Sequence, residues 1–121
     1  MAKLTRIAPE LPCANLDSAI TYYEKQLGFE VALRLPENEY AIVERDDVAI
    51  HLFVDRASKS SPMGVHIFTL ELDQLFSELQ ASGATISQKI ERKLWGNRDF
   101  RVRDQFLNEL KFTEPLKDDA T

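Results

Sequence analysis

The feature that most constrains this chain is that it follows one plan twice. Leu16-Asp17, a short helical stretch and Gly28 are matched by Leu72-Asp73, a second helical stretch and Gly83, at an offset of about 55 residues. Before each helix stands one short run of alternating apolar residues, and after each stand three more, bounded by turn residues. The pattern predicts two βαβββ modules. Either module alone holds too little apolar surface to fold, so two sheets should share a core and curve around a common cleft. The expected class is therefore α+β with curved mixed sheets, a single domain over 1–121 with modules at 4–55 and 65–114.

In the first module Leu4 to Leu11 is expected to be extended, with Pro9 confining it to an edge strand or an arm that leaves the sheet. Asn15 is a good helix N-cap. Leu16, Ile20, Tyr23 and Leu27 then share one face, and Gly28 supplies the stop. Strands follow over Phe29 to Leu35, Tyr40 to Glu44 and Val48 to Val54. Ala57 to Gly64, small, polar and broken by Pro62, reads as a linker or mobile loop. In the second module Val65 to Leu72 is a strand, and Asp73 caps a helix that buries Leu75, Phe76 and Leu79 before Gly83. Strands over Ile86 to Ile90, Arg98 to Arg103 and Glu109 to Glu114 complete it, and the charged tail from Pro115 to Thr121 should fray.

Composition enters where it excludes partners. With 15 basic and 20 acidic residues the net charge of -5 disfavours a nucleic-acid backbone and favours a cationic ligand at long range. No apolar run is long enough to cross a bilayer. Cys13 is the only cysteine, so no internal disulfide forms. The N-terminus lacks the basic-then-apolar plan of an export signal, and a cytoplasmic location is expected. Ser58, Ser60 and Ser61 have no glycine-flanked elbow, and the 4 glycines form no phosphate loop. These residues point to binding rather than turnover.

The closing stretch, Trp95 to Phe112, carries the most specific signal. Trp95, Gly96, Arg98, Asp99 and Phe100 lead into Arg103, Asp104, Asn108 and Phe112, an alternating pattern that predicts a hairpin. It resembles the closing hairpin of the bleomycin resistance proteins. Gln105 and Leu107 stand where that family usually has Pro and Gly, and Leu tolerates a positive φ far less readily than Gly. Pro9, Leu27-Gly28-Phe29 and Arg45-Asp46-Asp47-Val48 extend the resemblance, and the two-module plan is similar to that of the vicinal-oxygen-chelate superfamily, which includes glyoxalase I and the extradiol dioxygenases.

The resemblance implies a homodimer that sequesters bleomycin-type glycopeptides in clefts between subunits without changing them chemically. It assigns ligand contact to Tyr40, Phe53, His66, Phe68, Trp95 and Phe100, with Trp95 as the principal aromatic wall. Pro9 would help set the direction of an exchanged N-terminal arm, and Glu37, Glu39, Asp46 and Asp47 would supply negative potential near the mouth. The enzymes of the superfamily hold a metal at four positions that fall here at about Ala8, His51, His66 and Lys111. Ala8 has no donor atom and Lys111 presents an ammonium without a lone pair. No cofactor and no metal are expected on that basis, His51 and His66 being the candidates otherwise. The alternative is a divalent-metal-dependent lyase, isomerase or dioxygenase of the same superfamily.

Overall fold

The computed structural model describes residues 1–57 and 59–115; the expected fraying of the tail beyond Pro115 lies outside the described residues. Strands β1 (Glu10–Cys13), β2 (Glu30–Leu35), β3 (Tyr40–Arg45) and β4 (Val48–Val54), with helix α1 (Leu16–Lys25), come from the first half of the chain. Strands β5 (Gly64–Phe68), β6 (Thr85–Arg92), β7 (Arg98–Arg103) and β8 (Glu109–Glu114), with helix α2 (Leu72–Ala81), come from the second. Each half makes a four-stranded mixed sheet, in the orders β1-β4-β3-β2 and β5-β8-β7-β6. In each, the first strand pairs in parallel with the last and the other pairings are antiparallel. No helix among the described residues is long and apolar enough to cross a membrane.

Helix α1 forms where expected. Asn15 Oδ1 accepts from the Ser18 amide at 2.9 Å, and Leu16, Ala19, Ile20 and Tyr23 bury the face that meets the first sheet. Gly28 ends it at φ +76°, and a Cβ there would lie 2.9 Å from Arg45 Nη1, which itself donates to the Leu27 carbonyl at 2.9 Å. The site therefore needs glycine for both conformation and space. Helix α2 begins two residues earlier than expected, at Leu72. Asp73 is not its cap; it sits in the first turn and pairs with Arg98 at 2.8 Å, while Thr69 Oγ1 accepts from the Glu71 amide at 3.1 Å.

The first strand also departs from expectation. It runs Glu10–Cys13 rather than Leu4 to Leu11, and Leu4 and Ile7 are exposed. Pro9 has no N–H to offer a ladder, so pairing starts after it; its carbonyl still accepts from His51 N at 3.0 Å. Strand β5 likewise stops at Phe68, short of Leu72.

One core serves both halves. Leu11, Leu16, Ile20, Tyr23, Leu27, Ile50 and Leu52 pack in the same cluster as Leu72, Leu79, Phe100, Val102, Leu110 and Phe112. A buried polar seam fixes their relation. Tyr23 Oη donates to Asp104 Oδ2 at 2.9 Å, Asn108 Nδ2 donates to that oxygen at 2.9 Å and to the Pro12 carbonyl at 2.8 Å. Asp104 Oδ1 accepts from the Phe106 and Asn108 amides at 2.9 and 3.0 Å. This network holds the β7–β8 turn even though Leu107 must adopt φ +69°. Burial and the neighbouring Asp104 push the Tyr23 phenol far above its ordinary range, and burial pushes the Cys13 thiol up to about 11, so it stays protonated and unreactive.

Candidate functional site

Period-two alternation gives each sheet one face for the core and one face for solvent. On the first sheet the ladder aligns Glu10 with His51, His51 with Ile42, and Ile42 with Leu33, all on the solvent side. The next row of that face brings Tyr40 opposite Phe53 and Leu35. Tyr40 Oη donates to Glu10 Oε2 at 2.7 Å and lies 2.6 Å from His51 Nδ1. A phenol has one proton, and the carboxylate takes it; the His51 contact therefore needs Nδ1–H as donor, which leaves Nε2 as a bare lone pair. That nitrogen is buried without a hydrogen-bond partner. Burial, and then the Glu10 carboxylate, push the Tyr40 phenol up to about 12.

The corresponding row on the second sheet aligns His66 with Lys111, Lys111 with Arg101, and Arg101 with Gln88. His66 Nε2 lies 2.6 Å from Thr113 Oγ1, and its ring tilts against Phe68 with centroids 4.4 Å apart. Burial lowers its pKa and the Lys111 ammonium lowers it further, so the ring is neutral at neutral pH. Beside this row Asp99 is fully buried. Its Oδ1 accepts from Gln88 Nε2 at 2.6 Å and lies 3.6 Å from Lys93 Nζ, while Oδ2 has no partner. Glu109 is shared between Arg101 at 3.0 Å and Arg103 at 3.3 Å. Arg101 Nε is a further buried donor without an acceptor, a deficit of about 1–3 kcal/mol.

Of the ligand residues expected from sequence, Tyr40 and Phe53 gather with His51 on the first open face, and His66 and Phe68 gather on the second. Trp95 joins neither group; it stands 64% exposed in the β6–β7 turn, which Gly96 closes at φ +103°. Phe100 is corrected: it is fully buried between Phe76 and Phe112, at centroid distances of 5.1 and 5.2 Å, and offers no ring face to a ligand. Pro9 immediately precedes β1. Sequence reading missed Glu10, because the parallel register of β1 on β4 is set by tertiary pairing; the residue opposite His51 is Glu10, not Ala8.

That register bears on a metal. Glu10, His51 and His66 offer suitable donors, but Tyr40 engages one Glu10 oxygen and His51 Nδ1, leaving only Nε2 of that ring open; His66 belongs to the other sheet, and the fourth position is the Lys111 ammonium. Among the described residues no three His, Cys, Asp or Glu side chains converge. Within one chain this donor set does not make a catalytic zinc site, which takes three protein ligands.

A groove of about 300 Å³ that shares Phe68 with the second face lies where the halves meet, lined also by Phe29, Arg45, Asp47, Glu78 and Phe112 among others. Arg45 spans it, pairing with Glu78 at 2.7 Å. Asp46 and Asp47, expected near a cleft mouth, are at this groove rather than on either open sheet face. Glu39 lies elsewhere and pairs with Arg56.

Solved structures share this architecture. A bleomycin resistance determinant encoded on the transposon Tn5 superposes with a TM-score of 0.81 at 19% identity, covering 92% of this chain and 98% of that one. A bleomycin-binding protein complexed with bleomycin gives 0.79 at 19% identity over 93% and 100%. Lactoylglutathione lyase from Agrobacterium tumefaciens gives 0.76 at 17% identity over 93% and 95%. Likeness at such identities establishes the fold alone, and it spans binders and a lyase. The sequence model described as Glyoxalase/Bleomycin resistance protein/Dioxygenase superfamily matches residues 3–112. By that match over nearly its whole length, the chain belongs to the glyoxalase/bleomycin resistance protein/dioxygenase superfamily.

Proposed function

We propose that this protein is a non-catalytic binder that sequesters a small aromatic molecule, with bleomycin-family glycopeptides the first class to test. The carrying observation is that both sheets leave one face unpacked, and that these faces gather Tyr40, His51 and Phe53 on one side and His66 and Phe68 on the other. Leu33 and Leu35 stay about two-fifths exposed beside the first group. A single chain leaves this apolar surface in water at a cost, on the order of 25 cal/mol per Å². In a homodimer the first face of one copy and the second face of its partner would enclose a cleft, with Trp95 closing it from the hairpin tip. The superfamily and the likeness to a structure solved with bleomycin support this reading.

Calorimetric titration with bleomycin, read alongside Trp95 fluorescence, tests it. A micromolar constant corresponds to about -8 kcal/mol and is the expected order. Absence of both heat and a fluorescence change would remove bleomycin as the ligand. Light scattering should give twice the 13.9 kDa chain mass, and a monodisperse monomer would defeat the shared cleft.

A second reading is a metal-dependent lyase, isomerase or dioxygenase assembled between subunits. It is favoured by the unpartnered His51 Nε2 lone pair and by Glu10 across from it. Elemental analysis decides: a stoichiometric transition metal that is lost in His51→Ala would replace the binding reading with this one.

A further inference from the structure

The open face of the second sheet is built for charge of a definite sign. His66, Lys111, Arg101 and Gln88 stand abreast on four adjacent strands, so the Lys111 ammonium lies between an imidazole and a guanidinium. Each carboxylate nearby already faces another cation, although Asp99 Oδ2 has no hydrogen-bond partner. Asp99 faces Lys93 and Gln88, and Glu109 answers both Arg101 and Arg103. Among the described residues Lys111 has no carboxylate partner, although the chain as a whole carries a net charge of -5. An uncompensated ammonium at the centre of a sheet row attracts an anion, and its neighbours add donors rather than acceptors. Next to it the His66–Phe68 pair presents aromatic surface, with Phe68 59% exposed.

We propose that this row is the receptor for the acidic group of an aromatic acid, with Lys111 holding the anion and the His66–Phe68 pair carrying the ring. The inference rests on the reading of the open faces as a ligand cleft, and it differs from that reading in the charge it assigns to the ligand. The cationic character expected from the overall charge governs approach at long range, whereas the local row governs what is held.

Three probes that differ only in charge test this on the full chain: 2-naphthoate, the neutral 2-naphthamide and the cation 2-naphthylmethylammonium, each titrated by calorimetry. Naphthoate should bind about tenfold tighter than the amide, the scale of one charge-assisted contact, and the preference should shrink with added salt. Lys111→Gln, checked for an unchanged melting curve, should bring naphthoate down to the affinity of the amide. If the variant does not fold, the salt dependence of the wild-type preference still decides. Equal affinity for naphthoate and amide, or tightest binding of the cation, would overturn the anion assignment and leave the cleft standing. Failure of all three probes to bind would overturn both.

Discussion

On the first sheet the outward row reads Glu10, His51, Ile42, Leu33; on the second the matching row reads His66, Lys111, Arg101, Gln88. The inward rows have not diverged in this way. Ile50 and Leu52 on β4 and Leu110 and Phe112 on β8 are buried, apolar and packed in one core. Two copies of one topology thus keep the chemistry that burial enforces and part company where water is the neighbour. The first face is apolar and acidic and the second is cationic, which makes them electrically complementary if two copies meet face to face.

The seam between the halves is the first place to break the comparison. Asp104→Ala strands Tyr23 Oη and two backbone amides at once and leaves Asn108 Nδ2 with the Pro12 carbonyl alone. Urea unfolding should register a loss on the order of 4 kcal/mol, the scale of a broken buried network. The equivalent helix-stop glycines sharpen it next. Gly83→Ala meets nothing within 4 Å and should cost about 1 kcal/mol for its φ of +87° alone, whereas Gly28→Ala must also displace Arg45 and should cost about 1 kcal/mol more. Equal melting temperatures for the two variants would deny the closer packing of the first half. Smaller again is a gain: Leu107→Gly relieves a positive φ at an exposed residue and should stabilise by about 0.5–1 kcal/mol.

The smallest effect is electrostatic. His66 is held below its ordinary value of 6.5 by burial and by Lys111, so as pH falls through 6.5 the unfolded chain takes up the proton first and the folded state loses stability. In an NMR titration Lys111→Met should raise the His66 pKa. An unmoved pKa would mean that the cationic row is not coupled.

Much of the scaffold was legible. The Asn15 cap, the Gly28 and Gly83 stops and the alternation in β3, β4, β7 and β8 are local signals, decided within a few residues by dihedral limits and side-chain period. Asp73 misled because the N-cap falls two residues earlier, at Glu71, which places Asp73 in the first turn, where it pairs with Arg98. Phe100 misled for a related reason: alternation says that Phe100 and Val102 share a face, but nothing local says whether that face meets the core or a ligand.

From the chain alone came the duplication, the class α+β, the cap of α1, the glycine stops of both helices and the residue types available for binding, because each follows from spacing along the backbone. The tertiary structure alone decided that Glu10 faces His51, that Lys111 lies between His66 and Arg101, and that Trp95 stands apart from both groups. Register between strands distant in sequence depends on how whole sheets pack. A shift of one residue there sends every side chain to the opposite face.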